Sequence, residues 1–228
     1  MEHKETHFTG SQTVRDVVIG MADGLTVPFA LTAGLTGVIT SNFIVITAGM
    51  AEIVAGSIAM GLGGYLAGTT EYHHYQSERK RENWEVENWT DREKQEIRDI
   101  LSEYGISPEN MEGVVSDLAK NQDKWVDFMM RFELGLEEPH LSQARKSAAV
   151  IAISYIVGGL IPLSAYFFTA TPMEGLYISV VVTLIALFIF GFYKSKITGQ
   201  SPIKGALKTM LIGAIASAAA FLIAKAIS

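Results

Sequence analysis

Two acidic side chains stand where the chain is otherwise apolar, and their chemistry is the first thing to explain. Asp23 interrupts the run GMADGLTVPF, and Glu52 interrupts a second run, AGMAEIVAGS. A charged carboxylate at mid-bilayer depth costs about 2.5 to 3.5 kcal/mol by insertion scales, so it calls for a partner. No Lys or Arg stands within two helical turns of either acid. On a helix Asp16 shares a face with Asp23, and Glu52, Gly56 and Met60 follow one another at i, i+4 and i+8. Pro28 has no N–H, which leaves the carbonyl of Gly24 without its helical partner directly beside Asp23. Carboxylates, a free carbonyl and a thioether are together the donor set of a divalent-cation path. The plainer alternative is a pair of protonated acids acting as packing glue between helices, with Met60 as core filler.

A second constellation lies in polar sequence. Glu82 and Glu85 form one i, i+3 pair and Glu93 and Glu96 another, while MMRFE supplies Met129, Met130 and Glu133. Helices packed through these faces would gather several carboxylates around one or more ions, and thioethers shift the preference from calcium and magnesium toward softer transition metals. The competing reading is a solvated charged face laced with Arg79, Lys80, Arg81, Arg92 and Lys94.

The elements that must position these groups follow from composition. The chain has 228 residues, 49% of them hydrophobic, and no cysteine. Its mean hydropathy of +0.25 is too high for an ordinary soluble domain. Disulfides and thiolate metal sites are excluded. Five stretches approach the roughly 20 apolar residues of a bilayer span: Val14 to Ile39, Phe43 to Gly68, Ser147 to Phe168, Gly175 to Tyr193 and Ile203 to Ile227. Between the second and third, residues 71–140 hold 18 of the 24 acidic residues and only 9 of the 18 basic ones, which marks a water-exposed insert. Thr90, with Glu93 three residues on, predicts a capping box there, and Gly105 and Pro108 break the chain before two further helices.

The expected fold is therefore all-α: a polytopic membrane protein with five transmembrane helices and a helical insert. It divides into residues 1–70 with spans one and two, residues 71–140 as the insert, and residues 141–228 with spans three to five. The first and third connections lack Lys and Arg, whereas Arg79, Lys80, Arg81, Arg145, Lys146, Lys194, Lys196, Lys204 and Lys208 flank the insert and follow span four. By the positive-inside rule the N-terminus and insert face the cytosol. No cleavable secretory pattern precedes the first span, so the polar N-terminus is expected to remain on the mature chain.

The segments DGLTVPFALTAGL, AEIVAGSIAMGLGGYLA running into TEYHHYQSERKRE, and FMMRFELGL closely resemble the vacuolar iron transporter family, which has plant and yeast members. The likeness covers essentially the whole chain, and the insert resembles the iron-transporting branch. It implies a homodimer with a conduction path between protomers and a metal-binding cytosolic insert. By position, the family's path residues fall on Asp23, Glu52 and Met60, with Asp16 on the same face of its helix as Asp23. Its insert ligands fall on Glu82, Glu85, Glu93, Glu96, Met129, Met130 and Glu133.

The expected function is a proton-coupled antiporter that moves ferrous iron, and manganese, cobalt or zinc, out of the cytosol. A buried acid holds a proton until a cation displaces it, so metal and proton compete for one site. The partners are the lipid bilayer, metal ions, protons and a second copy of the chain; no nucleic acid and no permanently bound cofactor is expected. The membrane would be vacuolar in a eukaryote and the inner membrane in a prokaryote. The alternatives are an exporter of organic cations and a non-transporting membrane metal sensor. An enzyme is not expected: a di-iron oxidase wants Glu-x-x-His on two helices of a bundle, and the insert is read as lacking a Glu with His at i+3, a reading corrected below.

Overall fold

The computed structural model describes residues 11–227, and the polar N-terminus considered above lies outside the described residues. Among the described residues eight α-helices follow one another: α1 (Ser11–Thr36), α2 (Asn42–Asn88), α3 (Thr90–Glu103), α4 (Pro108–Leu118), α5 (Gln122–Phe132), α6 (Leu141–Ser164), α7 (Pro172–Ile197) and α8 (Pro202–Ile227). A single 3-10 turn, Ala165–Phe167, continues α6, and there are no strands among the described residues. Five helices are long and apolar enough to cross a membrane: Gln12–Thr36, Asn42–Asn88, Leu141–Phe167, Pro172–Ile197 and Pro202–Ile227. Their outer faces expose Val181, Ile185, Ile189, Leu211, Ile215 and Leu222, which suits a lipid solvent and would be an aggregation surface in water.

The helix of the second span outruns its apolar stretch, which ends near Gly68, and continues to Asn88, 47 residues in all. Between Thr69 and Asn88 the sequence holds no Gly or Pro and is rich in good helix formers, so nothing ends it. At 1.5 Å per residue such a helix is about 70 Å long, more than twice an apolar bilayer core.

The chain forms two compact units, Leu66–Ala144 and the remainder. In the larger, α7 packs on α8 and α1 packs on both. Small residues set the other approaches. Gly20, Gly24, Gly56, Gly61 and Gly64 each lie against α6, where an added Cβ would meet its backbone or side chains. These glycines are therefore intramolecular packing positions, a point on which the sequence is silent; Gly63 alone of that stretch faces open space. An alanine Cβ at Gly20 would stand 2.7 Å from the Ser154 Cβ and closer still to the Ile151 carbonyl. Gly20→Ala is therefore expected to cost about 1 to 3 kcal/mol, read as a lower unfolding temperature in detergent.

In the smaller unit Ile97, Leu101, Met111, Val115, Trp125 and Val126 form the core with Tyr75 and Val86 of α2. Arg98 of α3 grips Glu112 of α4 with two hydrogen bonds of 2.6 and 3.1 Å. Arg79 of α2 holds Asp127 of α5 at 2.5 Å. Gly105 and Gly135 end α3 and α5 with φ of 76° and 63°, a left-handed conformation that glycine adopts without strain. The capping box expected at Thr90 is absent. Thr90 is already inside a helix and donates its hydroxyl to Val86 O at 2.8 Å, while Trp89 is the cap and its carbonyl accepts from the Glu93 N–H at 3.0 Å. Because α2 runs on to Asn88, a one-residue break takes the place of a fresh helix start, and the Glu93 side chain turns inward. A capping box is present at Thr171 and Glu174, at the start of α7.

Candidate metal centre

Three apolar stripes in the smaller unit each carry a glutamate. On α3, Glu93, Ile97 and Leu101 recur at i, i+4 and i+8 and are all buried. On α2, Glu82 lies one turn before the buried Val86, and on α5 Glu133 follows Met129 at i+4, just past the last helical turn. Packing the stripes together carries the three acids to one place. Glu82, Glu93 and Glu133 each offer a carboxylate oxygen within 4.8 Å of the others. Oxygens ligating one transition metal at about 2.0 to 2.2 Å are at most about 4.4 Å apart, so a small rotation closes them on an ion.

Glu82 and Glu93 are 1% and 0% exposed, and none of their four carboxyl oxygens has a hydrogen-bond partner among the described residues. Unpartnered buried carboxylates are costly, and a proton or a cation must relieve them. Burial is the main cause that pushes Glu82 up to about 8, aided by the negative charges of Glu133, Glu93 and Glu85. Burial and the charge of Glu96 raise Glu93 to about 7. The negative charge of Glu93 lies near enough to Glu82 to disfavour its ionisation. Glu133, the exposed member, is raised by partial desolvation and by Glu96 and Glu85, against the opposing charges of Arg81 and Arg92. Around neutral pH the trio therefore retains protons that a divalent ion would release.

The other expected insert ligands occupy the rim and the core. Glu85 is half-buried with Arg81 Nε at 3.7 Å, and Glu96 is paired with Arg92 Nε at 2.9 Å. Met129 and Met130 are both sealed in the apolar core, 0% and 1% exposed. Glu-x-x-His spacing does occur elsewhere in the insert, at Glu71/His74 and Glu137/His140. The first pair lies on an exposed face of α2 and the second in the non-helical stretch before α6, so neither joins the carboxylate trio.

In the larger unit, Glu52 and Asp23 gather about one tyrosine. The Tyr155 hydroxyl, on α6, donates to Glu52 Oε1, while Glu52 Oε2 is buried without a partner. Gly24, next to Asp23, lies so close to α6 that an added Cβ would stand 2.9 Å from the Tyr155 Cα. The Asp23 carboxylate is half-buried and has no hydrogen-bond or ion-pair partner among the described residues. Asp16, two turns earlier, is 1% exposed, with Arg15 Nε 3.7 Å from Oδ1 and nothing on Oδ2. Met60 is half-buried on α2, two turns beyond Glu52.

A family model described as the VIT family matches residues 14–225. The chain belongs to the VIT family. It is 53% identical over 225 residues to vacuolar iron transporter 1 of Arabidopsis thaliana, covering 99% of this chain and 90% of that protein. It is 51% identical over 226 residues to vacuolar iron transporter 1 of Tulipa gesneriana, covering 99% and 92%. Protein CCC1 of Saccharomyces cerevisiae is 38% identical over 222 residues, 94% of this chain and 69% of that one.

Within this VIT-family chain, Tyr155 is the residue that reading the sequence missed. It sits in an apolar span and passes for a core or lipid-facing aromatic. A buried acid with no Lys or Arg in range needs a hydroxyl donor, and that requirement is the signal that could have found it. Gly56, read as one more position on a polar stripe, is instead the notch that admits the tyrosine ring: a Cβ there would stand 2.5 Å from Cζ and 2.7 Å from Cε1.

Proposed function

We propose that this VIT-family protein is a proton-coupled antiporter that moves ferrous iron out of the cytosol, with manganese, cobalt and zinc as further substrates. The reading rests most on the trio of Glu82, Glu93 and Glu133, in which the buried oxygens of Glu82 and Glu93 have no partner among the described residues and call for a proton or a cation. The relatives' names, vacuolar iron transporter, supply iron as the substrate and the vacuole as the membrane of a eukaryotic host; the inner membrane is its counterpart in a prokaryote. The N-terminus and insert face the cytosol, as the placement of Lys and Arg argues. Two copies assemble as a homodimer with the path of Asp16, Asp23, Glu52 and Met60 between them.

Each step follows from the chain's own groups. The acidic insert attracts divalent ions, and Glu82, Glu93 and Glu133 hold one by releasing protons; Glu85 and Glu96 join the shell only by exchanging Arg81 and Arg92 for the ion, and Met129 and Met130 only by turning their thioethers out of the core. In the membrane, Asp23 and Glu52 carry either a proton or a share of the metal's charge. Because the occupancies exclude each other, alternating access converts an inward proton gradient into outward metal movement.

The test is liposome flux of ferrous ion driven by an imposed pH gradient, with manganese, cobalt, zinc and an organic cation as competitors. Uptake should follow the gradient and yield to the metals but not to the organic cation. Flux indifferent to pH, or blocked by the organic cation, would overturn the reading. Absence of flux together with tight metal binding would mark a sensor.

A further inference from the structure

We infer that Tyr155 is a positioning residue of the membrane path, which ties up one oxygen of Glu52 and leaves the other as a single ligand arm that favours small transition-metal ions over calcium. The inference rests on the reading above that Glu52 lies on the ion path. A carboxylate can ligate through one oxygen or two, and two-oxygen ligation suits the larger, more flexible shell of calcium, whereas ions of magnesium or iron size take tighter, regular shells. The Tyr155 hydroxyl donates to Oε1, so Oε1 is engaged before any ion arrives. Oε2 is buried and has no partner among the described residues, which makes it the open arm.

The surroundings are built to hold the tyrosine in that position. Tyr155 is only 2% exposed, so its ring has no room to swing away. Gly56, one turn beyond Glu52 on α2, supplies the gap for the ring and hydroxyl, and Gly24 lets α1 close on the Tyr155 backbone. One side chain thereby fixes an acid on α2 from α6, beside the segment of α1 that carries Asp23.

The experiment compares ferrous flux in proteoliposomes, with calcium as competitor, for the full chain and three variants. Tyr155→Phe should raise the KM for ferrous ion about tenfold, in keeping with loss of a hydrogen bond to a charged group, and let calcium compete at about tenfold lower concentration, with the maximal rate within twofold. Gly56→Ala, which leaves the phenol in place but denies it the gap, should show the same two shifts. In a Glu52→Asp background, whose shorter arm does not reach the hydroxyl, Tyr155→Phe should add nothing. A Tyr155→Phe protein with unchanged KM and unchanged exclusion of calcium overturns the inference. So does a full additional loss in the Glu52→Asp background, because a purely structural tyrosine would act independently of the acid. Full flux in Glu52→Gln would instead remove Glu52 from the path, a separate failure of the underlying reading.

Discussion

Asp23→Asn and Glu52→Gln, made separately, should each lower gradient-driven ferrous uptake by about a hundredfold or more, while the protein still elutes as a folded species from detergent gel filtration. The amides keep the size and most of the hydrogen bonding of the acids, so packing changes little. What they lose is the ability to carry either a negative charge or an exchangeable proton, the two states that an exchange cycle needs. Even residues that only support a metal's direct ligands typically cost 10- to 100-fold when removed, so a direct ligand should cost at least as much. The Glu52 amide can still accept from Tyr155 through its carbonyl, which keeps α2 tied to α6 and separates loss of charge from loss of structure. Uptake within twofold of the parent protein in either variant would sink the assignment of that residue.

Glu82→Gln should move stability and metal affinity in opposite directions. Without metal, Glu82 and Glu93 are buried acids whose charged forms are disfavoured by desolvation and by the negative charge of neighbouring glutamates. A carboxyl raised in the folded state stabilises that state below its unfolded value near 4.5, and the contribution fades as pH rises through about 8. The metal-free protein should therefore lose thermal stability between pH 5 and pH 9, and Glu82→Gln should flatten that loss. At pH 8 the variant should unfold about 2 to 4 °C higher than the parent if the relief is near 1 kcal/mol. Metal binding should weaken about 10- to 100-fold in the same variant, since a charged ligand is gone. In the parent, affinity should fall roughly tenfold per unit of pH for each proton displaced as pH drops below 7. All three tryptophans, Trp84, Trp89 and Trp125, lie in residues 66–144, so quenching of their fluorescence in the intact chain reads occupancy of the insert. A variant that binds metal as tightly as the parent, or that is less stable at pH 8, would return Glu82 to a structural role.

Much of this was legible from residue order alone, because each signal is local. A bilayer demands about 20 apolar residues at a stretch, so five spans announce themselves by length, and charge density separates the insert without reference to any contact. Gly105 and Pro108 end α3 and open α4 where their backbone chemistry requires. The start of α3 was misjudged for a related reason: a capping box is a local pattern, yet whether Thr90 begins a helix depends on whether α2 has already ended.

Tertiary packing alone decided which acids lie close together. Two i, i+3 pairs of glutamates and Glu133 look equivalent in sequence, but only Glu82, Glu93 and Glu133 fall in line with the three apolar stripes, so burying those stripes gathers these three and leaves Glu85 and Glu96 to Arg81 and Arg92. Sequence likewise put Glu52 in the membrane and showed that it lacked a cationic partner. That its partner is a tyrosine 103 residues away, reached through a gap left by Gly56, follows from how α2 and α6 cross, since a long-range hydrogen bond leaves no periodic trace along the chain.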